Sequence, residues 1–139
     1  MKAYIGYGLL LIFGWSCTKG GGPGNSDSHN YPDPNDYTVP VLVVNTPTDN
    51  QVLSNGSSIN VTGNISDNSL FQGSITIQNN MNGVIVKDQY YEIHYIPSYN
   101  FSLSYVATVA TSTDFTITVR FEDHGHNVAS KSIKVTVNP

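Results

Sequence analysis

From Thr38 to the C-terminus, apolar and polar residues take turns with a period of two, the pattern of strands that bury one face. The clearest run is Ile59, Val61, Gly63 and Ile65, interleaved with Ser58, Asn60, Thr62 and Asn64. Phe115, Ile117, Val119 and Phe121 alternate with Thr116, Thr118 and Arg120, and Ile133, Val135 and Val137 alternate with Ser132, Lys134 and Thr136. Phe101, Leu103 and Tyr105 form a further inward set. Val39, Val41 and Val43 open the series and end at a turn over Thr46–Asn50. Ile75 and Ile77 lead into a turn at Asn79–Gly83, and Val84 and Val86 begin a strand that runs on through Tyr91, Ile93 and Tyr95. Roughly seven strands, with turns every 8–12 residues and no 3.6-residue apolar repeat, predict an all-β antiparallel sandwich of two sheets over residues 38–139.

Ahead of the strands the chain changes character twice. Residues 17–37 include the stretch Lys19-Gly-Gly-Gly-Pro-Gly-Asn-Ser-Asp-Ser28 and then Pro32 and Pro34, with no periodic apolar positions. Such a segment buries too little apolar surface to offset its ordering entropy, so it is expected to act as a flexible linker. About 20 residues of this kind reach roughly 25 Å. Residues 1–16 combine Lys2 with the apolar run Ala3–Phe13 and the small residue Ser16, the layout of a secretory signal. A run of that length is too short to cross a hydrocarbon core of about 30 Å as a helix.

Cys17 is the only cysteine of the 139 residues, which leaves the sandwich without a disulfide framework or a thiolate zinc site. Its position gives it another meaning. The stretch Gly14-Trp15-Ser16-Cys17 resembles the lipobox of bacterial lipoprotein precursors, in its relaxed Bacteroidetes form, with Gly14 where Leu is preferred and Trp15 bulky for its place. The resemblance implies cleavage before Cys17, lipidation of its sulfur, and attachment of the chain to the membrane of the cell envelope, with the outer membrane as the expected address. A thiolate is the side-chain nucleophile suited to thioether formation, and several acyl chains suffice for a stable anchor.

The full chain has a formal charge of −4 and only 12% charged residues; removal of residues 1–16, whose one charged group is Lys2, gives −5. With no basic cluster, nucleic acid is excluded as an expected partner.

The last two strands and the loop between them, Phe115-Thr-Ile-Thr-Val-Arg-Phe-Glu-Asp123-His-Gly125-His-Asn127 followed by Ile133–Val137, resemble the closing hairpin of bacterial immunoglobulin-like domains. Thr46-Pro47, Gly56, Ile59-Asn-Val61 and Ser66-Asp67-Asn68 match the opening of the same domains. The resemblance covers Val39–Val137. It implies an immunoglobulin-like β-sandwich and an extracellular module for adhesion, spacing or ligand binding, without chemistry of its own. Phe115 stands where many such domains carry a corner tyrosine, so packing is expected to hold that corner.

Two groups of residues are candidate sites. Asp67 and Asn68, with Glu122, Asp123, His124, His126 and Asn127 in the last hairpin loop, are expected at one end of an immunoglobulin-like sandwich. Asp and Asn at these points serve local turn geometry; the alternatives are a calcium site built from oxygen ligands, or a transition metal on the two histidines and a carboxylate. The second group is aromatic: alternation turns Tyr91, Tyr95 and Tyr105 inward and leaves Tyr90 and Tyr99 as outward rings. Such rings stack on a glycan or anchor a protein partner, or else pair across strands. No nucleophile with a base and orienting acid, phosphate loop or zinc-protease motif is present in the sequence. The expected role is a non-catalytic envelope module that binds a glycan or envelope protein or serves as an accessory subunit. A small metal-dependent hydrolase and a structural spacer are the competing readings.

Overall fold

The computed structural model describes residues 35–94 and 96–139; the signal segment, Cys17, most of the linker and Tyr95 lie outside the described residues. Eight strands follow one another: β1 Val41–Thr46, β2 Gln51–Ser54, β3 Ser58–Ser66, β4 Leu70–Asn79, β5 Ile85–Glu92, β6 Ser98–Val106, β7 Thr113–Asp123 and β8 Val128–Asn138. They form a three-stranded sheet, β1-β3-β6, and a five-stranded sheet, β2-β8-β7-β4-β5. All pairings are antiparallel except β2 on β8. The fold is an immunoglobulin-like β-sandwich, with one strand more than the sequence pattern predicts. The extra one is β2, whose four residues Gln-Val-Leu-Ser are too few to show a period.

Where alternation is clean, the expected faces hold. Ile59, Val61 and Ile65 from β3 meet Phe115, Ile117, Val119 and Phe121 from β7 and Ile133, Val135 and Val137 from β8 in a single core. At β1 the phase is reversed. Leu42 and Val44 pack on the core, whereas Val39, Val41 and Val43 are exposed. The run Val39-Pro-Val-Leu-Val-Val44 is apolar at both parities and carries no phase of its own. Pairing with β3 supplies it, by setting Leu42 opposite buried Ile65 and Val43 opposite Asn64. Val84 is likewise exposed while Val86 packs inward.

Two glycines on core-facing positions set the spacing of the sheets. Gly63 lies opposite Phe101 across β3–β6, and Gly73 opposite Phe121 across β4–β7. A Cβ on Gly63 would strike the ring of Phe101 and the carbonyl of Val43; one on Gly73 would strike the ring of Phe121. Each phenylalanine therefore folds over its glycine. The two rings then stack on each other across the sandwich, with centroids 5.1 Å apart and planes 28° apart.

Tyr91 closes one open side between the sheets. Its ring lies edge-on to Tyr99 at 5.8 Å and 5.9 Å from Phe121, and its hydroxyl, carried on β5, donates to the carbonyl of Ser102 on β6 at 2.8 Å. Burial, and then the neighbouring Tyr99, push the Tyr91 phenol above its ordinary 10.0. A raised phenol favours the protonated fold. Its contribution is complete below the unfolded value and is lost as pH rises from there through the folded one. We expect Tyr91→Phe to lose about 1 kcal/mol at neutral pH and to flatten the fall of stability as pH rises above about 10. Urea unfolding of both proteins across that range checks this; equal alkaline slopes would show that Tyr91 is not the responsible group.

Candidate functional site

At the end of the sandwich where the chain enters, three segments converge. Asp36 precedes β1, Asp67 sits in the β3–β4 turn, and Asp123 ends β7. One ligand oxygen from each lies within 4.8 Å of the other two. Each carboxylate is fixed locally before it joins the group. The backbone N–H of Thr38 donates to Asp36 Oδ1 at 2.9 Å, and that of Ser69 to Asp67 Oδ1 at 3.0 Å. Asp123 is fully buried; its two oxygens accept from the backbone N–H of Asn127 at 2.8 Å and from Asn127 Nδ2 at 2.9 Å.

Asn127 connects these pieces, because its Nδ2 also donates to the carbonyl of Asp36 at 3.0 Å. The approach is close enough to demand a glycine at 125. A Cβ there would lie 2.7 Å from the Asp36 carbonyl oxygen and 2.8 Å from Asn127 Nδ2. Beside Asp67 a shallow depression of 340 Å³ is lined by Thr38, Val39, Val41, Ser66, Asn68 and Pro97.

Three carboxylates at this spacing repel one another, and solvent screens part of that repulsion because Asp36 and Asp67 are only partly buried. Hydrogen-bond donors offset part of that cost. A divalent cation among the oxygens would reverse it. Oxygens that share a Ca²⁺ ion at 2.3–2.6 Å stand at most about 5 Å apart, and these three carboxylates satisfy that limit.

The structure brings together Asp67, Asp123 and Asn127 of the residues singled out in the sequence. Asn68 is exposed on the rim of the depression. Among the described residues, His124 and His126 are not part of this group of ligand atoms. His124 is buried against Phe71, with ring centroids 4.8 Å apart, and lies 5.6 Å from the ring of His94. His126 adopts φ 63° at the tip of the hairpin and points along the outer face, where its Nδ1 and Glu122 Oε1 share a hydrogen bond of 2.8 Å. The positive φ is that of His126 itself, so the chain turns between the buried ring of His124 and the exposed ring of His126. Asp36 was not foreseen, because it falls inside a stretch that reads as linker, and only its distance to Asp123 reveals it.

The outer face of the five-stranded sheet carries a second polar group. Tyr90 is 55% exposed, and its hydroxyl donates to Gln72 Oε1 at 2.8 Å. Gln72 Nε2 donates in turn to Glu122 Oε2 at 3.4 Å, which also accepts from Arg120 at 3.0 Å. Burial works to raise the Glu122 carboxyl, but hydrogen bonds from His126, Arg120 and Gln72 outweigh it and hold the group below its ordinary value. Tyr99, expected outward with Tyr90, faces the core instead, half-buried and edge-on to Tyr91. It shares the parity of Phe101 and Leu103 on β6, so the same alternation that buries them turns it inward.

No family model and no curated protein matches the chain. Among solved structures, it is similar to a crystal structure of an engineered protein at 13% identity and a TM-score of 0.45, with 72% of this chain and 20% of that one covered. It is also similar, at 13% identity and a TM-score of 0.41, to the CARDB domain of a Pyrococcus furiosus protein in complex with di-metal ions, with 75% of this chain and 99% of that one covered. The chain thus spans one fifth of the first neighbour and nearly all of the second.

Proposed function

We propose that the chain is an envelope lipoprotein that presents its immunoglobulin-like sandwich as a non-catalytic module, anchored by lipid at Cys17 and steadied by Ca²⁺ where the tether meets the fold. The observation that carries this reading is the position of Asp36. It is the first acidic residue of the described chain, and it lies within 4.8 Å of Asp67 and Asp123 from two separate loops. A cation held by all three would join the end of the tether to both loops and fix the direction in which the module stands on its anchor.

Binding to the native state alone stabilises it by about 2.7 kcal/mol at a ligand concentration of 100 Kd. For a domain of this size that is a rise in melting temperature on the order of 10 °C. We expect Ca²⁺ to produce it, and Asp67→Asn to remove the rise without lowering the melting temperature measured in chelator, since one repelling charge is gone. Scanning calorimetry with and without Ca²⁺ checks both. No heat and no shift with Ca²⁺ or Zn²⁺ would end the cation reading, and mass spectrometry of an unlipidated Cys17 would end the anchor.

A second reading is favoured by Tyr90, whose exposed ring is braced through Gln72 against Glu122. An aromatic face beside amide, carboxylate and guanidinium groups suits a glycan or a protein partner of the envelope. Unchanged glycan-array and pull-down signals for Tyr90→Ala would count against it.

A further inference from the structure

The strands of the three-stranded sheet, β1, β3 and β6, contain no charged residue, whereas β5, β7 and β8 of the other sheet carry nine: Lys87, Asp88 and Glu92 on β5, and the rest on the two adjoining strands. Sheets that remain apart in solution usually guard their edges with charge, proline, bulges or short strands. Three of the four edges here are guarded in this way. β5 bears Lys87, Asp88 and Glu92; β2 has four residues; β1 shifts register between Val44 and Thr46. The fourth, β6, is nine residues long, pairs with β3 in unbroken register from Ser98 to Val106, and has no charge, proline or bulge.

Its sequence is also close to a palindrome about Ser102. Reading outward from Ser102, the two directions give Phe101 and Leu103, then Asn100 and Ser104, then Tyr99 and Tyr105. In an antiparallel pair of identical strands related by a two-fold axis, residues equally distant from the centre lie opposite each other. With the axis at Ser102, apolar would meet apolar on the core side, polar would meet polar on the outer side, and two Tyr99–Tyr105 pairs would flank the centre. Cross-strand matches of this kind stabilise pairing, and no like charges oppose it within the strand.

We propose that a second copy of this chain pairs with the first along β6, centred on Ser102, which joins the two three-stranded sheets into one of six strands in the order β1-β3-β6-β6-β3-β1. The Tyr91 hydroxyl already occupies one lone pair of the Ser102 carbonyl; a carbonyl oxygen has a second for the N–H of the other copy. The net negative charge of both copies opposes association at long range, so the pair should tighten as salt rises. The proposal is independent of any cation at the loop end.

Sedimentation velocity on the full chain carrying Cys17→Ser, in nonionic detergent, should show a monomer–dimer equilibrium between about 1 µM and 1 mM, shifted toward dimer by added salt. Ser102→Lys places two ammonium groups against each other at the axis and should abolish the dimer while leaving the melting temperature unchanged, because the Ser102 side chain is exposed. In the same background Ser102→Cys should form a disulfide-linked dimer under mild oxidation far faster than Thr118→Cys, on the outer face of the other sheet. Three results would overturn the proposal: a monomer throughout, a dimer indifferent to Ser102→Lys, or equal cross-linking at the two positions. Recovery of the β6 edge occupied by a strand of a different protein would do the same.

Discussion

Replacing Phe121 by alanine is expected to cost about 3–5 kcal/mol, the range for removing a buried aromatic ring, and so most of the stability of a domain this small. The ring does three things at once. It covers Gly73 on the neighbouring strand, stacks on Phe101 from the facing sheet, and backs Tyr91, which closes the side of the sandwich. Its loss leaves a void that the sheets cannot close, because their backbone pairing holds the strands in place. The mechanism has its own signature. Gly73→Ala should cost about 3 kcal/mol in the native chain, at the upper end for overpacking, because its Cβ has nowhere to go. In the Phe121→Ala background the same change should cost little. Urea unfolding of the four proteins gives the coupling directly, and additive costs would show that glycine and ring do not share one space.

That pair also shows what a sequence can and cannot state about this fold. The alternation of β3, β7 and β8 is clean because one face of each strand is aliphatic or aromatic and the other is Ser, Thr, Asn or Lys. Those strands, their buried faces and the closing hairpin were therefore legible. β1 was not, since valine and leucine occupy both faces and only the pairing of Leu42 with Ile65 decides which is buried. Tyr99 was legible in principle, being two residues from Phe101. Gly63 reads as one more small residue in an alternating strand, and its need for the Phe101 ring exists only once two strands lie side by side. The loop cluster follows the same logic. Asp67 and Asp123 could be placed at one end from the fold resemblance, but Asp36 is separated from Asp123 by the whole domain. A distance of that kind leaves no local trace.

Asp123 is where fold and candidate site share a residue, and Asp123→Ala is expected to cost about 3 kcal/mol. Two hydrogen bonds to an ionised group are lost, each worth roughly 1.5–3 kcal/mol, and the relief of repulsion from Asp36 and Asp67 returns part of that sum. The loss should also be local before it is global. Asn127 would keep its bond to the Asp36 carbonyl but lose the carboxylate that orients it, so the hairpin tip and the entry segment should loosen together. Hydrogen exchange at the amides of Asn127 and Thr38 should accelerate in Asp123→Ala, while the amides of β3, deep in the opposite sheet, keep their protection below the global unfolding threshold. Asp67→Asn separates the two roles of the cluster. It removes a carboxylate from the same oxygen group but none of the bonds that hold the hairpin, so it should leave exchange at Asn127 unchanged in chelator. If both variants loosened the hairpin equally without metal, Asp123 would be one acidic residue among three and not the group that fastens the entry segment to the sandwich.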